Sequence, residues 1–170
     1  MAAVASPSLA SVISSGARRP GPAMSFPGMT AVGSSLKAAV VYPAEAGAFS
    51  SDRVSDVVIA VGLPQLASKL EEEAHWNRML SLGEQQRLAI ARVLLQEPDY
   101  VFLDEATASL DEAAEASLYR LLQERLKGTT IISIGHRSTL GAFHRRRFEV
   151  APSDDAASEV RDVPLVSAAE

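Results

Sequence analysis

The chain has 170 residues, enough for one domain with a sizeable core. Hydrophobic residues make up 47% and charged residues 22%, a globular balance, and the net charge of −5 argues against a dedicated nucleic-acid binder. The lack of cysteine excludes disulfide scaffolds, thiolate zinc sites and cysteine nucleophiles, the histidines at 75, 136 and 144 are too scattered for a metal motif, and no apolar run approaches the ~20 residues that cross a bilayer.

Residues 1–44 contain no Asp or Glu, and 1–32 are rich in Ala, Ser, Gly and Pro, with Arg18 and Arg19 the only charges. Such a stretch buries little against its ordering entropy, which predicts a disordered leader over 1–32. Ser-rich, acid-free and Arg-bearing is also the composition of an organelle transit peptide. Ser51 is expected to cap a helix over 51–61, with Asp52 in its first turn and Gly62 at its end. Pro64 opens a second helix to about Glu73, with Glu71, Glu72 and Glu73 as a solvated face. Ser81 caps a third, Gly83 to Gln96, whose Leu88, Ala91, Val93, Leu94 and Leu95 form a buried stripe, and Pro98 blocks continuation.

Tyr100-Val101-Phe102-Leu103 is a short apolar run ending in Asp104-Glu105, which predicts a buried strand. Residues 112–127 predict a helix with Leu118, Leu121, Leu122 and Leu126 on one side, stopped by Gly128. Thr129 to Ile134 predicts a second buried strand, followed by Gly135-His136. Residues 151–170 read as an acidic disordered tail, with Asp154, Asp155, Glu159 and Asp162 between small residues and with Pro152 and Pro164 as breakers. Apolar strands alternating with helices imply an α/β fold with a parallel sheet, whose ligands sit beyond the carboxyl ends of the strands. Asp104, Glu105 and His136 fall at that edge.

Three local features carry chemistry. Leu80-Ser81-Leu82-Gly83-Glu84-Gln85-Gln86-Arg87 opens a helix with a hydroxyl, a glycine and free N–H groups, which attract phosphate. An apolar strand ending in Asp-Glu offers one carboxylate for Mg²⁺ and one to orient or deprotonate a water. His136 follows the next strand. Each feature alone is weak: Ser81 is an N-cap in any reading, and a lone histidine after a strand is usually structural. Their joint order is far more specific.

LSLGEQQRLAIARVLLQEPDYVFLDEATASLDE resembles the ATP-binding cassette (ABC) ATPases of transporters. Residues 80–84 look like the signature motif, residues 100–105 like the Walker B strand, Ser109-Leu110-Asp111 like the D-loop, and His136 like the switch histidine of the H-loop. LSLGE preceded by His75-Trp76-Asn77 is most similar to the branch that fuses a membrane domain to a cassette, among them peptide-antibiotic or cobalamin uptake systems and acyl exporters.

The resemblance implies a head-to-tail dimer with a second ABC cassette, a membrane domain as further partner, ATP and Mg²⁺ as cofactors, and no nucleic acid. It places Ser81, Gly83, Gln85, Asp104 and Asp111 in nucleotide binding, with Ser81 and Gly83 on the γ-phosphate held by the partner. Asp104 would serve the metal, Glu105 would polarise the attacking water, His136 would meet the γ-phosphate, and Asp111 would link the two sites. Leu82 and Glu84 depart from the usual Gly and Gln; Glu84 suits the helix dipole but brings negative charge towards a phosphate.

Gly28-Met29-Thr30-Ala31-Val32-Gly33-Ser34-Ser35 has the glycine spacing of a P-loop. Ser34 stands where the lysine belongs and no apolar strand precedes Gly28, so the match reads as chance. The expected architecture is therefore a partial P-loop NTPase (ABC cassette) fold over 33–150, with the P-loop half absent. It has a helical subdomain (36–95) and the second half of the core (96–150), and leaves the Walker B strand with an open edge. The expected function is an ATP-binding and hydrolysis module powering transport, inactive alone. It would be membrane-associated through a transporter membrane domain, on a cytoplasmic or organelle face. The alternatives are a non-catalytic fragment docking on a complete cassette and, less favoured, a soluble DNA-repair or ribosome-associated ABC ATPase.

Overall fold

The computed structural model describes residues 11–16, 19–20, 34–151 and 159–164, which fall into two compact units, Met1–Ile134 and Gly135–Glu170. The Gly28–Gly33 segment, Arg18, Pro152, Asp154 and Asp155 lie outside the described residues.

The helical part of the first unit begins with α1 (Leu36–Val41), capped by Ser35. Helix α2 (Ser51–Ala60) is capped one residue earlier than expected: the Ser50 hydroxyl accepts from Arg53 N at 3.3 Å. Ser51 Oγ instead donates to Glu71 Oε1 at 3.0 Å and accepts from Lys37 Nζ at 2.9 Å. Gly62 follows α2 at φ +83°, the left-handed region where glycine carries no penalty. Helix α3 (Pro64–Ala67) starts at the expected proline but stops well short of Glu73. Beyond it the backbone is spent on α1, with Leu36 N donating to Glu72 O and Lys37 N to Leu70 O. Helices α1 and α4 (Trp76–Met79) are too short to carry a periodic signal in the sequence.

Helix α5 (Leu82–Gln96) is the centre of this part. Leu88, Ala91, Val93, Leu94 and Leu95 are all buried, as their spacing predicts. Arg92 is buried with them; its Nε and Nη2 donate to Ala39 O at 3.0 and 2.6 Å, tying α5 to α1. Burial lowers the Arg92 pKa to about 10, which leaves it charged at neutral pH.

The sheet of this unit has the order β2-β1-β3-β4: β1 is Ser11–Gly16, β2 Arg19–Pro20, β3 Tyr100–Asp104 and β4 Thr130–Ile134. β3 and β4 are parallel, in register from Tyr100↔Thr130 to Asp104↔Ile134. Between them runs α6 (Glu112–Arg125), which buries Leu118, Tyr119 and Leu122. Tyr119 donates to Ser133 Oγ at 2.8 Å, which sets α6 on the Val101/Leu103 face. On the opposite face Tyr100, Ile132 and Ile134 remain 48%, 39% and 59% exposed, so the strands are buried on one side only.

Further expectations differ from these findings. The stretch 1–32 contributes two strands, and β1 pairs antiparallel with β3 from Ser11↔Asp104 to Ser15↔Tyr100, so the edge of β3 expected to be open is covered. Ladder bonding needs only backbone groups, which composition does not report. In the second unit a 3-10 helix (Ser138–Phe143) leads into an antiparallel pair, β5 (Arg147–Ala151) and β6 (Glu159–Val163). β6 lies within the stretch read as a disordered tail, where Arg146 Nη2 donates to Asp162 Oδ2 at 2.6 Å.

Candidate functional site

Ser81 caps α5 through a reciprocal box. Its Oγ accepts from Glu84 N at 3.3 Å, while the Glu84 carboxylate accepts from Ser81 N at 2.9 Å and from Ser81 Oγ at 2.8 Å. The two Ser81 bonds hold the Glu84 carboxyl below the usual carboxylate range, with smaller help from Gln65 and Arg87 against the opposing effect of burial. The charge that looked adverse for a phosphate is thus engaged in fixing the serine. A depressed carboxylate pKa stabilises the fold above the unfolded value, and that stability is lost as pH falls through the folded one. Glu84→Gln is expected to lose about 0.3–1 kcal/mol at neutral pH, the usual worth of a charge at a helix N-terminus. In urea unfolding the gap from wild type should close on acidification; a gap constant with pH would contradict the box.

Gly83 lets the signature segment press on the loop after β3. A Cβ there would lie 3.2 Å from Leu110 Cδ2 and 3.7 Å from Ser109 O. Asp111 caps α6, its carboxylate accepting from Ala114 N at 2.7 Å. Gln85 reaches back: its amide donates to Asn77 O at 3.1 Å and Leu80 O at 2.9 Å, holding the turn that precedes Ser81. Gln86 points into the core, where Nε2 faces Glu105 O at 3.5 Å and Oε1 accepts from Ser109 N at 3.2 Å.

Asp104 ends β3 half-buried and Glu105 follows exposed, with its backbone at φ +46°. Ser81, Gly83, Asp104, Glu105 and Asp111 all lie on α5, β3 and the loop between β3 and α6, with contacts joining α5 to that loop. His136 belongs to the second unit and is exposed there. Among the described residues no group of three or more His, Asp or Glu side chains is arranged to hold a metal ion. One half-buried carboxylate at a strand end nevertheless suits Mg²⁺, which takes one or two carboxylates and fills its other positions with phosphate and water. Motif order does not single out Gln86, although the sequence marks it as a polar residue on a buried stripe, at helical spacing with Ile90 and Val93.

A sequence model described as ABC transporter matches residues 22–108. The chain belongs to the ABC transporter family and corresponds to its ATP-binding domain. An uncharacterized ABC transporter ATP-binding protein of Haemophilus influenzae is 52% identical over 112 residues, 66% of this chain and 19% of that protein. The chloroplastic ABC transporter D family member 2 of Arabidopsis thaliana is 49% identical over 90 residues, 53% of this chain and 12% of that protein. The lysosomal cobalamin transporter ABCD4 of Homo sapiens is 40% identical over 109 residues, 61% of this chain and 18% of that protein. The chain thus spans less than a fifth of the length of these relatives. No helix among the described residues is long and apolar enough to cross a membrane.

Proposed function

We infer that this chain supplies the signature, Walker B strand, D-loop and H-loop of an ABC transporter's ATP sandwich, and that it turns over ATP only when a P-loop-bearing half and a membrane domain complete it. The observation that carries the reading is the packing of the signature end of α5 on the 105–111 loop. That packing puts a helix N-terminus suited to phosphate and a strand-end carboxylate pair on connected elements. The 170 residues contain no Gly-Lys pair, so the lysine of a P-loop comes from elsewhere. The exposed Tyr100, Ile132 and Ile134 face is an apolar sheet surface of the kind further secondary structure covers.

In this reading Ser81 and Gly83 meet the γ-phosphate held by a second cassette in a head-to-tail dimer. Gln85 supports them by fixing the turn before Ser81. Asp104 would hold the Mg²⁺ shell, and the metal, when bound, would neutralise phosphate charge. Glu105 accepts the proton of the attacking water, and His136 meets the γ-phosphate. Asp111 stands at the dimer face while capping α6. Phosphoryl transfer depends on such positioning and charge neutralisation. Membrane association comes through the transporter's membrane domain.

Calorimetry of the purified chain with Mg-ATP tests the division of labour. No heat of binding is expected at micromolar concentrations; micromolar affinity would mean that the chain carries a nucleotide cradle of its own. A second reading, a non-catalytic module docking on a complete cassette, is favoured by the close approach of Leu110 to Gly83, where an added Cβ would lie 3.2 Å from Leu110 Cδ2; this brings the signature and D-loop segments together. That reading requires no turnover from Glu105.

A further inference from the structure

Gln86 takes no part in the steps above, yet it is only 3% exposed. Its neighbours fix which way its amide faces: the Ser109 N–H can only donate and the Glu105 carbonyl can only accept. Oε1 therefore takes the Ser109 N–H at 3.2 Å, and Nε2 faces Glu105 O at 3.5 Å, the long end of a hydrogen bond. Gln86 stands in the first two turns of α5, two residues after the Ser81–Glu84 capping box. One side chain thus joins the signature end of that helix to the loop that carries Glu105.

Glu105 needs such holding. At φ +46° it is a non-glycine residue in the left-handed region, where its Cβ crowds the following carbonyl. It persists where the surroundings over-determine it. Its N–H donates to Ile134 O at 3.0 Å, and its carbonyl accepts from Ala108 N at 3.0 Å as well as facing Gln86. The first restraint comes from the sheet and the second from the local turn. Of the three, Gln86 alone comes from α5.

We propose that Gln86 is a positioning residue that couples α5 to Glu105, so that movement of the signature end of α5 resets the backbone of the catalytic glutamate in the same chain. The inference rests on the function proposed above, in which Ser81 faces one ATP and Glu105 another. Gln86 then carries the state of one ATP site to the other.

The test uses the full chain without nucleotide, read by amide resonances and hydrogen exchange. Gln86→Leu removes both contacts. Exchange at Ser109 should speed up about tenfold, the usual worth of one hydrogen bond, and the Glu105 amide resonance should move. The Leu94 and Glu115 amides should stay protected. Gln86→Glu keeps an acceptor for Ser109 but sets an oxygen against the Glu105 carbonyl, so Ser109 should remain protected while the Glu105 resonance moves. Ser81→Ala, which opens the capping box, should shift the Glu105 resonance in the wild-type background and no further in the Gln86→Leu background. If Gln86→Leu fails to fold, the same cycle is run with Gln86→Glu.

The proposal is overturned if Ser81→Ala leaves Glu105 unmoved, or moves it equally whatever stands at 86. These readings need no ATP turnover. Failure of hydrolysis in the assembled transporter would therefore sink the functional reading alone, and failure of the cycle would sink the coupling alone.

Discussion

Glu105→Gln should slow ATP hydrolysis by the assembled transporter about 10²–10⁴-fold, the range for removing a general base. That is roughly 3–5 kcal/mol of transition-state stabilisation. The substitution is nearly isosteric, and the Glu105 side chain is exposed. Its backbone bonds to Ile134 O and from Ala108 N do not involve the carboxylate. The unfolding free energy should therefore stay within about 0.5 kcal/mol of wild type, as for surface substitutions generally. Glu105→Gly separates chemistry from backbone more sharply: it removes the carboxylate and relieves the left-handed strain at φ +46°. Turnover should remain lost while stability rises by up to about 1 kcal/mol. Steady-state hydrolysis and urea unfolding on the same preparations check both halves. Retention of more than a tenth of the wild-type rate by Glu105→Gln would remove Glu105 from the base role and favour the non-catalytic docking reading.

The parts of this molecule legible in sequence are those where one strong local rule acts. Ser81 alone signals the cap of α5, and the structure adds the reciprocal bond from Glu84 that completes the box. The apolar run at 100–103 predicts a short strand, and β3 is there, though buried on one face only. Illegible parts depend on contacts between distant segments. α1 is six residues long, too short for a periodic pattern, and is held by backbone bonds to Leu70 and Glu72. α3 gives up its expected length for those same bonds. β1 and β6 fall in stretches whose composition argued for disorder, because strand pairing is satisfied through the backbone and leaves little trace in residue type. At the candidate site, motif order singled out Ser81, Asp104 and Glu105 as candidates. It did not reveal that Gln85 faces back to Asn77 and Leu80, or that Gln86 faces the Glu105 loop. Sequence order nominates candidates for a site; side-chain direction needs the packing.

Trp76→Ala should destabilise the chain by about 3–5 kcal/mol, the range for deleting a buried tryptophan. Trp76 is among the largest fully buried side chains, only 2% exposed. It sits in α4, a helix of four residues that cannot hold itself by propensity. Its indole Nε1 donates to Glu72 O at 3.2 Å, and its carbonyl accepts from Leu80 N at 3.0 Å, so it anchors both ends of the segment leading to Ser81. Removing it opens a cavity and leaves the Glu72 carbonyl without that donor. Against a typical domain stability of about 5–15 kcal/mol the loss is large. Trp76→Phe keeps most of the apolar burial and should lose about 1–2 kcal/mol, including the indole bond. Trp76 is the chain's single tryptophan, so unfolding of these variants is followed by far-ultraviolet circular dichroism rather than by intrinsic fluorescence. Equal losses for the Ala and Phe variants would assign the effect to the indole N–H; a loss below about 1 kcal/mol for Ala would contradict the burial that anchors the approach to the signature.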